Sequence, residues 1–116
     1  MATKRQVELR LRELIAKLDQ AGDHVHANLA RAMPDPRVIQ VDLPDLDTSY
    51  WTELSGGRMG KLHRGASEDP EIRLISSSDD LVEVLDGSKS LFSSYKAGHI
   101  KVEASLWDVM ALRKLM

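Results

Sequence analysis

The stretch "IRLISSSDDLVEVLDGSKSLFSSYKAGHIKVEASLWDVMALRKL", Ile72 to Leu115, decides the fold. Ile72 and Leu74 alternate with Arg73, the period of a half-buried strand, and the alternation stops at Ser76, Ser77 and Ser78. A hydroxyl at Ser77 or Ser78 can accept from the free amides of the next turn, and Asp79 and Asp80 suit the positive end of a helix dipole. The helix so started presents Leu81, Val82 and Leu85 and stops at Gly87, which takes a left-handed cap without a side-chain clash. The same grammar repeats at once. Ser88 or Ser90 opens a second short helix, Leu91, Phe92 and Tyr95 occupy matching positions, and Gly98 closes it. Ile100 and Val102 then alternate with Lys101 and Glu103 as another strand. Ser105 with Asp108 three residues on resembles a capping box at the start of a last helix.

That last helix is unusual. Leu106, Trp107, Val109, Met110, Ala111, Leu112, Leu115 and Met116 leave only Asp108, Arg113 and Lys114 polar, so apolar residues fall on nearly every side. One core cannot cover them all. An internal ligand, a partner protein, a lipid surface or the first helix has to cover the rest.

Upstream, Val7, Leu11, Leu14, Ile15 and Leu18 give an amphipathic first helix that ends near Gly22. Val25, Leu29 and Met33 give a short second one, with Asp23 as N-cap and Pro34 as the stop. From Arg37 the period is two, with Ile39, Val41 and Leu43 on one side. "SYWTEL" continues the sheet, Ser55 to Gly57 turns it, and "RMGKLHR" completes a three-strand meander before the turn "SEDPE". Counting Ile72–Leu74 and Ile100–Val102, the strands number five.

The 116 residues make one domain, 1–116, and 42% hydrophobic with 29% charged residues is the balance of an ordered globular chain. A net charge of -2 lacks the basic footprint of a nucleic-acid binder. The absence of cysteine fits a reducing cytoplasm and excludes disulfides and thiolate metal sites. No apolar run reaches the ~20 residues of a membrane span, so a soluble, cytoplasmic protein is expected.

Catalytic constellations are missing. "SGGRMGKL" fails the phosphate-loop pattern at Ser55 and Leu62 and reads as a hairpin turn. His24 and His26, two apart on a helix, point about 200° from each other and cannot chelate one ion from it. His63 and His99 can meet across a sheet but lack an acid or nucleophile. The serine cluster lacks a G-x-S-x-G elbow, and Asp79 and Asp80 are explained by the helix start. No enzyme, metal or cofactor is expected.

The order strand, "S-x-x-D-L-x-x-L-x-x-G", short helix ending at glycine, "G-H-I-K-V-E-A" and a leucine- and methionine-rich last helix resembles the sterol carrier protein two (sterol-binding) domain family. The compact chain is similar to its bacterial standalone members. The resemblance implies an α+β fold: a five-stranded, mostly antiparallel sheet covered on one face by an N-terminal helix, two short helices and a C-terminal helix. It also implies an apolar tunnel between sheet and helices for a fatty acyl, sterol-like or other hydrophobic ligand, and hence lipid binding or transfer. Leu81, Leu85, Leu91, Phe92, Tyr95, Leu106, Trp107 and Met110 are the expected lining, with Ile100 and Val102 in its floor. The partner expected is a hydrophobic small molecule, with transient membrane contact and a homodimer as further modes. The alternative is an interaction or oligomerisation module that docks through its apolar C-terminal helix without ligand.

Overall fold

The computed structural model of the chain describes residues 2–115, apart from the side chains of residues 112, 114 and 115. The apolar contributions ascribed above to Leu112, Leu115 and Met116 lie outside the described residues. Among the described residues, five helices and six strands follow one another as α1 (Lys4–Asp19), α2 (Asp23–Ala32), β1 (Arg37–Leu43), β2 (Thr48–Ser55), β3 (Arg58–Met59), β4 (His63–Arg64), β5 (Ile72–Ser76), α3 (Ser78–Leu85), α4 (Leu91–Lys96), β6 (Ile100–Glu103) and α5 (Leu106–Leu115). A 3-10 turn at Pro44–Leu46 joins β1 to β2.

The sheet order is β3-β2-β1-β5-β6, with β4 also on β2. Every pairing is antiparallel except β1 with β5, where Ile39 lies beside Ile72 and Val41 beside Leu74. The expected third strand is therefore two short ones. Arg58–Met59 and His63–Arg64 pair separately with β2, and the backbone between them leaves the ladder at Gly60, whose amide donates to the Glu53 carbonyl.

Period-two alternation sorts the sheet into two faces. Ile39, Val41, Leu43, Tyr50, Leu54, Ile72 and Leu74 face the helices and form two adjoining clusters. In one, Val7 and Leu11 of α1 and Leu81 of α3 close over Val41, Leu43 and Tyr50. In the other, Met33 at the end of α2 and Ala111 of α5 close over Leu54 and Ile72. α2, rather than the first helix, is the neighbour that packs on α5.

The helix starts follow the serine chemistry. Ser77 caps α3 by accepting from the Asp80 amide, and Ser90 caps α4 by accepting from the Ser93 amide. Asp45, in the 3-10 turn, adds a cap from outside, accepting from the Ser78 amide at 3.0 Å and the Ser78 hydroxyl at 2.6 Å. At α2 the N-cap is Gly22, and Asp23 is the first helical residue. α1 has a capping box, with Thr3 Oγ1 accepting from the Gln6 amide and Gln6 Oε1 accepting from the Thr3 amide. One glycine is required by contact as well as by conformation: at Gly57, φ is 79° and a Cβ would stand 2.0 Å from the His26 carbonyl oxygen.

Candidate functional site

Between α4, β6 and α5 lies an apolar hollow of about 230 Å³ lined by Leu91, Phe92, Tyr95, Val102, Leu106, Val109, Met110 and Arg113. Each lining side chain arrives by local geometry. Val102 points to the helix side because its pairing partner is Leu74, and residues directly opposite share a face. On α5, Val109, Met110 and Arg113 follow Leu106 by three, four and seven residues and so line one face of the helix with it. Leu91, Phe92 and Tyr95 come from the single exposed-to-buried stripe of the six-residue α4.

Six of the ten residues named from sequence surround this hollow: Leu91, Phe92, Tyr95, Val102, Leu106 and Met110. The other four lie elsewhere. Leu81 is buried in the cluster under α1, and Leu85 packs against the same cluster. Ile100 is buried beside Ser76 in the sheet. Trp107 is 78% exposed. Val109 and Arg113 were not anticipated, though their spacing from Leu106 and Met110 contains the signal.

The hollow opens at the first turn of α5, because Leu106 both lines it and is 72% exposed. Two cations stand at the Phe92 ring: Lys96 Nζ lies 5.2 Å from its centroid and the Arg113 guanidinium 5.3 Å. Both are within cation–π range, where the ring's negative face attracts them.

The opposite side of α5 is tied down by charge. Arg37 Nε donates to both Asp108 oxygens, at 3.1 and 3.2 Å, across 71 residues of sequence. The Asp108 amide meanwhile donates to Ser105 Oγ at 3.2 Å, which is the N-cap half of the expected capping box; the carboxylate half is committed to Arg37. Three directions thus account for the described part of this helix. Asp108 and Ala111 face the sheet and α2, four residues face the hollow, and Trp107 faces out.

The outer face of the sheet is polar. Asp42 accepts from Gln40 Nε2 at 2.8 Å and Ser49 Oγ at 2.6 Å, and from Arg73 Nε, which also pairs with Glu103. Burial alone would raise the Asp42 carboxyl, but the hydrogen bonds from Ser49, Gln40 and Arg73 outweigh it and hold it below the ordinary value. Gln40 Oε1 accepts from the Ser67 amide at 2.7 Å, so this network fastens the 65–71 loop to the sheet. Its groups satisfy one another and the network serves as scaffold.

The histidines take separate structural places. His26 Nε2 donates to the Leu18 carbonyl at 2.7 Å, and His63 stacks on Trp51 with centroids 4.1 Å apart. His63, in β4 beside β2, and His99, next to β6, lie toward opposite edges of the sheet and do not meet.

The sequence profile described as the SCP-2 sterol transfer family matches residues 10–116. Among solved structures, Sterol Carrier Protein 2 Like 2 from Aedes aegypti superposes with a TM-score of 0.69 at 13% identity, over 97% of this chain and 98% of that one. A "UbiJ-SCP2 Ubiquinone synthesis protein" superposes at 0.65 and 16%, over 99% and 92%. The palmitated form of the Aedes protein superposes at 0.65 and 11%, over 98% and 94%. At such identities the likeness is one of fold. No curated protein sequence matches.

Proposed function

The chain belongs to the SCP-2 sterol transfer family, and from that premise we propose that it binds a lipid in the hollow between α4, β6 and α5 and carries it between lipid surfaces. The observation that supports this most is the composition of the hollow: seven apolar or aromatic residues and one arginine, in a position where α4 and α5 hold one another through little else. Such a lining gives a lipid tail burial at about 0.8 kcal/mol per methylene and offers no group for bond-making. The chain thus works by binding and release, without a catalytic step.

The hollow is smaller than the roughly 300–1,000 Å³ of sites that enclose a drug-sized ligand. A long-chain ligand therefore enters by parting α4 from α5. This suits the connections, since α4 is six residues between two glycines and α5 is fixed to the sheet on its far side. Trp107, next to Leu106, flanks the entrance.

Native mass spectrometry of the purified protein, with displacement by a fluorescent fatty acid as a second measurement, tests the proposal. A lipid mass on the monomer, lost in Val102→Phe and Leu91→Phe while the melting temperature holds, is expected. A ligand-free dimer that dissociates on Trp107→Glu would replace carriage by docking between protein copies.

A further inference from the structure

Apart from the cargo, the rim of the hollow has its own chemistry. Trp107 and Leu106 are 78% and 72% exposed, and Met110 and Tyr95 continue the apolar surface beside them. Between Asp86 and Met116 the sequence has five Lys or Arg and three Asp or Glu, in a chain of net charge -2. Those three acids are consumed by arginines from elsewhere: Asp86 by Arg10, Glu103 by Arg73 and Asp108 by Arg37. Lys89 is paired with Glu83, and Lys101 lies 4.0 Å from Glu103. Lys96 and Arg113 are exposed and, among the described residues, have no acidic partner, only the Phe92 ring between them. An apolar tip thus sits within a cationic rim.

We propose that this α4–α5 rim docks on an anionic lipid bilayer, with Trp107 and Leu106 entering the interface and Lys96 and Arg113 pairing with lipid phosphates. Tryptophan suits the boundary between headgroups and acyl chains, and each basic residue near an anionic surface strengthens attachment about five-fold. A second copy of the chain is the poorer occupant. A two-fold contact through this patch would bring the cationic rims of both copies together. A bilayer supplies phosphate to the rim and hydrocarbon to the tip together. Because Leu106 belongs to both tip and hollow, docking sets the entrance against the acyl chains, and a lipid crosses without passing through water. This deepens the carrier reading, but attachment itself needs no cargo.

The test uses Trp51→Phe, which leaves Trp107 as the sole tryptophan, with vesicles of phosphatidylcholine alone or with phosphatidylglycerol. Addition of the anionic vesicles is expected to blue-shift Trp107 emission. Lys96→Gln with Arg113→Gln should weaken vesicle binding about twenty-five-fold, and high salt should reduce it strongly. Equal binding to neutral vesicles, or binding unchanged by the double substitution, would overturn the assignment. So would a concentration-dependent blue shift without vesicles, which would assign the patch to a second copy. Bound lipid by mass spectrometry with no vesicle binding removes the docking surface and leaves carriage standing; vesicle binding by a protein that retains and accepts no lipid does the reverse.

Discussion

Replacing Asp108 by Asn should loosen α5 more than any other helix. The carboxylate is 8% exposed, and its partner Arg37 keeps 23%. Asn preserves the shape and one acceptor oxygen but removes the charge. A hydrogen bond to a charged partner contributes about 1.5–3 kcal/mol, and losing one member of a fully buried pair costs about 3–5 kcal/mol. Arg37 retains some access to water after the change, so the lower range applies, about 2 kcal/mol. For a domain of this size that lowers the melting temperature by about 8 °C. Arg37→Met should cost more, because it leaves the more deeply covered charge without its partner. A double-mutant cycle in denaturant should return a coupling of about 1.5–2 kcal/mol. Hydrogen exchange should show α5 amides losing protection ahead of those in α1, whose anchors Val7 and Leu11 lie in the other cluster. A coupling under about 0.5 kcal/mol, or protection lost evenly from both helices, would show that Arg37 and Asp108 do not hold α5 in place.

Other changes separate core from candidate site. Leu81→Ala should cost about 2–5 kcal/mol in chemical unfolding yet leave lipid affinity unchanged, since Leu81 lies in the cluster under α1; a selective loss of affinity would move the site there. Gly57→Ala should destabilise sharply and disturb α2, because its Cβ meets the His26 backbone; an unchanged melting temperature would refute that contact. Hydrogen bonds from Arg64 and Arg12 lower the Glu8 carboxyl from 4.5 to about 2. A folded value below the unfolded one stabilises fully above about pH 4.5, and that contribution is lost as pH falls toward 2. Glu8→Gln should accordingly flatten stability against pH across that acid window and leave the slope near neutrality as it was.

What could be read from sequence was what neighbours along the chain determine. Ser77, Ser90, Gly87 and Gly98 set the two short helices because caps act over three or four residues. Ile39, Val41 and Leu43 set the inner face of β1 because alternation is local. The pairing of β1 with β5 and the ties Arg37–Asp108 and Asp45–Ser78 join positions 33 or more apart, where spacing carries no signal. The short excursion at Gly60 also escaped, since "RMGKLHR" reads as continuous until its partners on β2 are known. Periodicity marked Leu81, Leu85 and Met110 as positions on apolar stripes, but not what each would meet; Met110 stays 47% exposed. Leu81 and Leu85 went to α1, and Met110 to the hollow.

On the carrier reading proposed above, the last helix is scaffold and gate together. Its apolar residues exceed what one core can take, and the structure divides them by direction around the axis. At about 100° per residue, Asp108 and Ala111 fall on one side and Leu106, Val109, Met110 and Arg113 on nearly the opposite one. The first side is held by an ion pair and by packing under α2; the second rests on a thin cover of α4 over an incompletely filled space. The charged anchor fixes the side of the helix opposite the hollow, next to the exposed Trp107. A cover held equally well on both sides would trap its cargo. One held on neither would not define an entrance for a bilayer to meet.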